Sequence, residues 1–242
     1  MNTLSILVLA AILAAAAGAG AASGADLRVA PVIVEPGPGG RTTTLNVING
    51  EDTPLKAQVR VMKWSQKDGQ DILTPTNDLV ASPPFVSLKP HQRYLVRLVR
   101  TAKAPPTGEE SYRILVDQVP QPGDVKPGTV NLILRQSIPA FFSDAPRRQA
   151  KVDWRIVTQG QVAWLVGHNS GDRRVRLSDL SLNEANKPIF HQTGLVGYVL
   201  PNSEMRWAIP QQGLVAANGK VQMTADTDTG PVNVSLVAQP GA

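Results

Sequence analysis

Apolar and polar residues alternate in short runs along nearly the whole chain, at a period of two rather than 3.6. At 42–48, Thr43, Leu45 and Val47 form one row against Thr42, Thr44, Asn46 and Ile48. At 56–64, Ala57, Val59, Val61 and Lys63 alternate with Gln58, Arg60, Met62 and Trp64. Runs at 27–34, 85–88, 93–99, 112–119 and 129–142 complete a first set of predicted strands, separated by Pro- and Gly-bearing turns. Residues 67–71 (KDGQD) read as one such turn. A polar break at 143–149 (SDAPRRQ) follows, and the pattern restarts at 152–158, 161–169, 174–182, 189–190, 197–200, 205–209, 220–225 and 232–238. Strands recurring about every ten residues without a helical period predict an all-β chain of two sandwich domains, 26–145 and 150–242. No longer repeat is present, which excludes a propeller or solenoid.

The most informative run is 129–142, TVNLILRQSIPAFF. Val130, Leu132 and Leu134 alternate with Asn131, Ile133 and Arg135, so a strand here presents one wholly apolar row. In the interior of a sandwich this is an ordinary core strand. At a sheet edge it offers apolar side chains and free backbone groups to another chain, an exposure that proteins normally suppress.

Residues 2–22 are mostly apolar and carry no charge, and small residues follow at 18–25. This is the layout of a secretory signal peptide over 1–25, cut near Ala22 or Ala25, although no Lys or Arg precedes the apolar run. An uncleaved anchor would want a basic flank after the run, and none is present. The expectation is an exported mature chain without membrane insertion. With no cysteine, it uses neither disulfides nor thiol chemistry. The net charge of +5 and pI of about 9.7 admit nucleic acid, but the basic residues are scattered over strands and no nucleic-acid-binding motif occurs. An acidic protein or a carboxylate fits the surplus as well.

Candidate chemistry is sparse. His91, His168 and His191 stand in no metal-binding spacing, so no metal or other cofactor is expected. There is no nucleophile elbow, and the glycines at 37–40 lack the lysine of a phosphate loop. Glu109-Glu110 and Asp68/Asp71 lie in turn-like stretches and read as solvated. No catalytic residue emerges, and an enzyme is not expected. Among the arginines, Arg93 and Arg97 occupy the polar row of one strand, while Arg100 shares parity with its apolar row. Arg113 and Arg135 lie in two further strands. The double proline of Ser82-Pro83-Pro84 suggests a cis bond at one of the two.

In order, the segments LRVAPVIVEP, LNVINGEDTPLKAQVRVMKW, DILTPTNDLVASPPFVSLKPHQRYLVRLVR, EESYRILVDQVP, NLILRQSIPAFF, AWLVGHNSGDRRVRLSDLSL and GLVGYVLPNSEMRWAIP resemble the periplasmic chaperones of the chaperone–usher pilus pathway, the PapD-like proteins, in their archaic, Csu-type branch. That resemblance implies two immunoglobulin-like sandwiches set at an angle around a cleft. It implies a periplasmic chaperone that lends its strand G1 to an incomplete pilus subunit and passes the subunit to an outer-membrane usher. G1 would then be 129–142, with Val130, Leu132, Leu134 and Ile138 as donor residues. In the better-known branch an Arg and a Lys hold the subunit's terminal carboxylate; their places fall near Pro31 and Pro139, which cannot do so. Arg113, then Arg135 and Arg28, are the remaining candidates. The competing readings are a secreted β-sandwich pilus subunit or adhesin and a carbohydrate-binding sandwich. A subunit would carry one disulfide-bearing domain, and a carbohydrate site would need exposed aromatic rings.

Overall fold

The computed structural model describes residues 26–120, 132–144, 149–160, 162–185, 187–209 and 219–240, and holds no helix among them. The signal segment expected at 1–25 lies outside the described residues. The first nine strands are β1 (Leu27–Ala30), β2 (Thr42–Asn49), β3 (Leu55–Lys67), β4 (Gln70–Pro75), β5 (Leu79–Ser82), β6 (Phe85–Leu88), β7 (Arg93–Arg100), β8 (Glu110–Val119) and β9 (Arg135–Phe142). They form two facing sheets, β1-β2-β7-β5 and β4-β3-β8-β9, with β6 paired to the first part of β3. The inward rows meet in one core: Leu45, Val47, Val96 and Leu98 from one sheet, and Val59, Tyr112, Ile114, Val116, Ala140 and Phe142 from the other. Alternate burial on β2 and β7 is the physical outcome of the period-two pattern, whereas β8 is buried on both faces over 114–116.

The remaining strands are β10 (Val152–Gln159), β11 (Val162–Asn169), β12 (Val175–Glu184), β13 (Lys187–Val199), β14 (Ser203–Ile209), β15 (Lys220–Thr227) and β16 (Gly230–Pro240). They make one continuous sheet in the order β13-β12-β15-β16-β10-β11-β14. Its two ends fold over each other, because Ile156, Leu165 and Ile209 share a core with Leu177, Leu182 and Met223.

The strands differ from the sequence pattern in several places, among them β5, which no predicted run covers, and β9, which begins at Arg135 within the 129–142 run. The Asp68-Gly69 turn, with both residues at positive φ (54° and 74°), is tighter than expected, and Gln70 already begins β4. Every residue of β4 is exposed, so no alternation marked it in the sequence. The runs 189–190 and 197–200 belong to one long strand, β13, whose pairing with β12 shifts register three times. Both Ala30-Pro31 and Ser82-Pro83 are cis, the latter at one of the two bonds expected.

Apolar and charged contacts join the two halves. Trp64 and Phe141 pack on Tyr198 and Leu200, with the Trp64 and Tyr198 rings edge to face at 5.4 Å. Gln66 donates to the Tyr198 carbonyl at 2.8 Å and accepts from the Leu200 N–H at 2.9 Å. Arg174, nearly buried, spans the junction: one Nη meets Glu109, the other Glu35 Oε2 at 2.8 Å, and its guanidinium lies 3.6 Å over the Phe141 ring. The expectation that Glu109 and Glu110 are solvated is therefore corrected. Each carboxylate starts or immediately precedes β8, where the chain enters the domain junction, and each finds a buried arginine. Burial raises the Glu109 carboxyl above its usual range despite Arg174.

Glu110 accepts two hydrogen bonds from Arg100 at 2.8 Å each and one from the Tyr112 hydroxyl at 2.9 Å. Arg100 is buried because it shares parity with the apolar row of β7. Burial alone would raise the Glu110 pKa, but the Arg100 and Tyr112 donors outweigh it and hold the carboxyl below its ordinary value. A carboxyl depressed in the folded state stabilises the fold above its unfolded pKa of about 4.3, and that contribution disappears as pH falls through the lower folded value. The urea unfolding midpoint is accordingly expected to drop on acidification below about pH 4. Glu110→Gln should shallow that drop; an unchanged pH profile would remove Glu110 from the account.

Candidate functional site

The edge of the β4-β3-β8-β9 sheet is formed by β9. Its register with β8 pairs Arg135 with Asp117, Ile138 with Ile114 and Phe142 with Glu110. The pairing continues one residue earlier, since the Gln118 N–H donates to the Leu134 carbonyl at 3.0 Å. In an antiparallel ladder, alternate residues bond to the partner strand while those between point their N–H and C=O the other way. Leu134, Gln136 and Ile138 therefore face β8, and the backbone groups of Arg135 and Ser137 face outward. No strand among the described residues pairs with that outer side.

The opening has a defined end. Val34 pairs in parallel with Ala140: its N–H donates to the Pro139 carbonyl and its carbonyl accepts from the Phe141 N–H, each at 2.9 Å. Pro139 itself has no N–H to offer. The edge is closed from Pro139 onward and open before it.

The apolar row of this segment is divided. Leu132 is 62% exposed, and Ile133, in the other row, is 58% exposed. Leu134 is half-buried against the chain's own core, and Ile138 is buried within it. Ile138, expected from sequence as a donor residue, supports the chain's own sandwich from inside. Val130 lies outside the described residues. Ser137 and Arg135 occupy the opposite face, because β9 turns Ile138, Ala140 and Phe142 inward.

The three candidate arginines are not brought together. Arg113 lies on β8 opposite Pro139, where the open edge ends, and faces the junction between the halves. Its guanidinium stacks 3.7 Å over the Trp64 ring and lies 5.7 Å from that of Tyr198. Burial lowers its pKa, partly opposed by Asp71, and no ion pair holds it among the described residues. Arg135 shares that face of the sheet but sits four positions further along the β8 ladder, opposite Asp117. Its exposed guanidinium bonds Asp117 through Nε, and Asp117 also takes Arg60 Nε and Nη2 at 3.0 and 2.7 Å. Burial would raise the Asp117 carboxyl, but Arg135 and Arg60 together hold it below its usual range. Arg28 is on β1 in the other sheet, exposed and paired with Asp26 at 3.0 Å.

Sequence reasoning missed Arg174 and its two carboxylates. The only signal was the charge of the Asp172-Arg173-Arg174 stretch beside a strand start, which looks like any polar turn. Among the described residues no cluster of three His, Asp or Glu could hold a metal. Aromatic rings are mostly interior: Trp64, Tyr112, Phe141 and Phe142 are buried, while Phe85 is exposed. What the site can do is pair backbone with a further strand and accommodate its apolar side chains, next to a cation that no ion pair holds among the described residues.

Residues 27–146 match the family described as pili and flagellar-assembly chaperone, PapD N-terminal domain, and the chain belongs to that family of pilus chaperones. Its fold is the two-domain, all-β fold of those proteins. The Escherichia coli chaperone DraB is similar, with 25% identity and a TM-score of 0.57 over 89% of this chain and 98% of that one. So is a chain of the CsuC–CsuE chaperone–tip adhesion subunit pre-assembly complex from archaic Csu pili of Acinetobacter baumannii, with 22% identity and a TM-score of 0.68 over 90% of this chain and 100% of that one. A chain of the Salmonella enterica SafA pilin–SafB chaperone complex shows 23% identity and a TM-score of 0.59 over 86% of this chain and 95% of that one. Among curated proteins, none matches the sequence.

Proposed function

We propose that this pilus-assembly chaperone works in the periplasm and completes pilus subunits by lending them the open edge of β9, then delivers them to an outer-membrane usher. The observation that carries the reading is the outward backbone of Arg135 and Ser137, led by exposed Leu132 and ended by the Val34 pairing. An unfinished sandwich exposes both a backbone ladder and core. One alternating strand satisfies both at once, which is the chemistry of strand addition. The donor row is Val130, Leu132 and Leu134, with residues 26–145 as the lending domain, 150–242 as its companion and 1–25 as the export signal. The chain belongs to the archaic branch on this reading. Expressed with an affinity tag, the full chain should bring down a stoichiometric subunit from periplasmic extract; recovery of the chaperone alone from cells making pili would count against the proposal.

Arg113 is the carboxylate anchor in this scheme. A strand laid along β9 toward Pro139 brings its end to the junction where Arg113 lies without an ion pair among the described residues. A charge-assisted hydrogen bond there is worth about 1.5–3 kcal/mol, and a guanidinium can make two in parallel. Arg113→Ala should therefore weaken subunit capture by at least about tenfold. The lost stacking on Trp64 costs about 1 kcal/mol of stability, a small shift in the melting curve. Arg97→Ala should leave capture unchanged; if Arg113→Ala does the same, the anchor lies elsewhere.

A further inference from the structure

The outer face of the β1-β2-β7-β5 sheet plays no part in the site above. Cross-strand register aligns Arg28, Ile48 and Arg93 in one row, Ala30, Asn46 and Leu95 in the next, and Thr44, Arg97 and Ser82 in a third. Parity turns these side chains away from the core that Val47, Val96 and Leu98 fill from the same strands. Leu95 is 53% exposed, a large apolar residue between two arginines of its own strand. The outward strand positions hold three arginines and no carboxylate. At the rim, Asp26 pairs with Arg28 and Asp52 with His91. Arg93 and Arg97 form no ion pair among the described residues.

The spacing of these cations says what they suit. Arg28 and Arg93 stand two strands apart, roughly 10 Å, and Arg93 and Arg97 four residues apart, roughly 13 Å along the strand. Such spread guanidiniums cannot converge on one carboxylate or phosphate. The middle of the sheet, β2 and β7, has no free edge to fix a peptide. The guanidiniums match an anion spread over a plane, and Leu95 with half-buried Ile48 supplies the apolar contact that an acyl boundary rewards. We infer that this face docks reversibly on an anionic phospholipid bilayer surface.

Each arginine near such a surface contributes about 1 kcal/mol, or about fivefold in partition, and the attraction is screened by salt. The probe is sucrose-loaded vesicles of mixed phosphatidylglycerol and phosphatidylcholine, sedimented with the purified mature chain, beside vesicles of phosphatidylcholine alone. The chain should partition onto the anionic vesicles only, and less at high salt. Arg93→Gln with Arg97→Gln should reduce that partition about 25-fold with the melting curve unchanged. Lys151→Gln with Lys220→Gln removes the same charge from exposed positions of the other half and should leave partition within a few-fold of the parent. Equal losses for both pairs would mean that net charge alone acts and would overturn the assignment. So would equal binding to both kinds of vesicle, no binding, or tighter binding to soluble polyglutamate at matched charge, which would point to an acidic protein instead.

Discussion

Leu132→Arg is expected to abolish subunit capture while leaving the chaperone folded. In the free chain Leu132 is 62% exposed just ahead of β9, so an arginine there stays in water and changes stability by no more than about 0.5 kcal/mol. In the complex the same position enters the unfinished core of a subunit. An unpaired guanidinium buried there costs several kcal/mol, and about 4 kcal/mol is already a thousandfold in affinity. Leu132→Ala should weaken capture by less, because it removes apolar area without adding charge. Ile133→Arg separates the rows: it is exposed to a similar degree but has the opposite parity, so it should be tolerated better. The measurement is subunit co-purified per chaperone, with thermal unfolding of each variant as the control for folding. Equal recovery with Leu132→Arg and parent would remove the donor row; equal loss for Leu132→Arg and Ile133→Arg would show that the segment binds without the alternation proposed.

Most strands with one face on the core and the other in water were legible, but four-residue β5 was too short to register. β2 and β7 follow the period-two pattern because burial imposes it. β4 was not legible, since an all-exposed strand on the rim of a sheet obeys no such rule. That residues 129–142 carry an apolar row could be read directly, but not that β9 is an edge. Edge status depends on which strands pair, and here on Val34 closing only the far end. The division of that row, Leu132 outward and Ile138 inward, has the same origin: one parity serves two partners at the two ends of the segment. Parity also hinted that Arg100 is interior, and its partner Glu110 was present ten residues later, but polar context made that carboxylate look solvated. The Arg174 bridge joins residues 65 and 139 positions apart, a distance over which no local pattern operates.

That bridge should respond strongly to mutation. Arg174→Met leaves the Glu109 carboxylate, whose side chain is 4% exposed, buried without its counter-charge, while retaining an apolar stem against Phe141. Removing one partner of a buried ion pair costs about 3–5 kcal/mol, most of it the stranded charge rather than the lost attraction. The double variant Arg174→Met with Glu109→Gln removes that charge and should recover most of the loss, a coupling that a double-mutant cycle measures directly. The pH dependence has a definite sign. Burial already raises the Glu109 carboxyl, and removing Arg174 raises it further. A carboxyl raised in the folded state destabilises the fold above its unfolded pKa of about 4.3, progressively as pH climbs toward the folded value. The deficit of the single variant should therefore be largest near neutral pH and shrink on acidification, as Glu109 takes up a proton. Calorimetric unfolding of parent, single and double variants across that range decides the matter. If the double variant is as unstable as the single one at neutral pH, the stranded carboxylate is not the cause, and the loss belongs to the contact of Arg174 with Phe141 and Glu35.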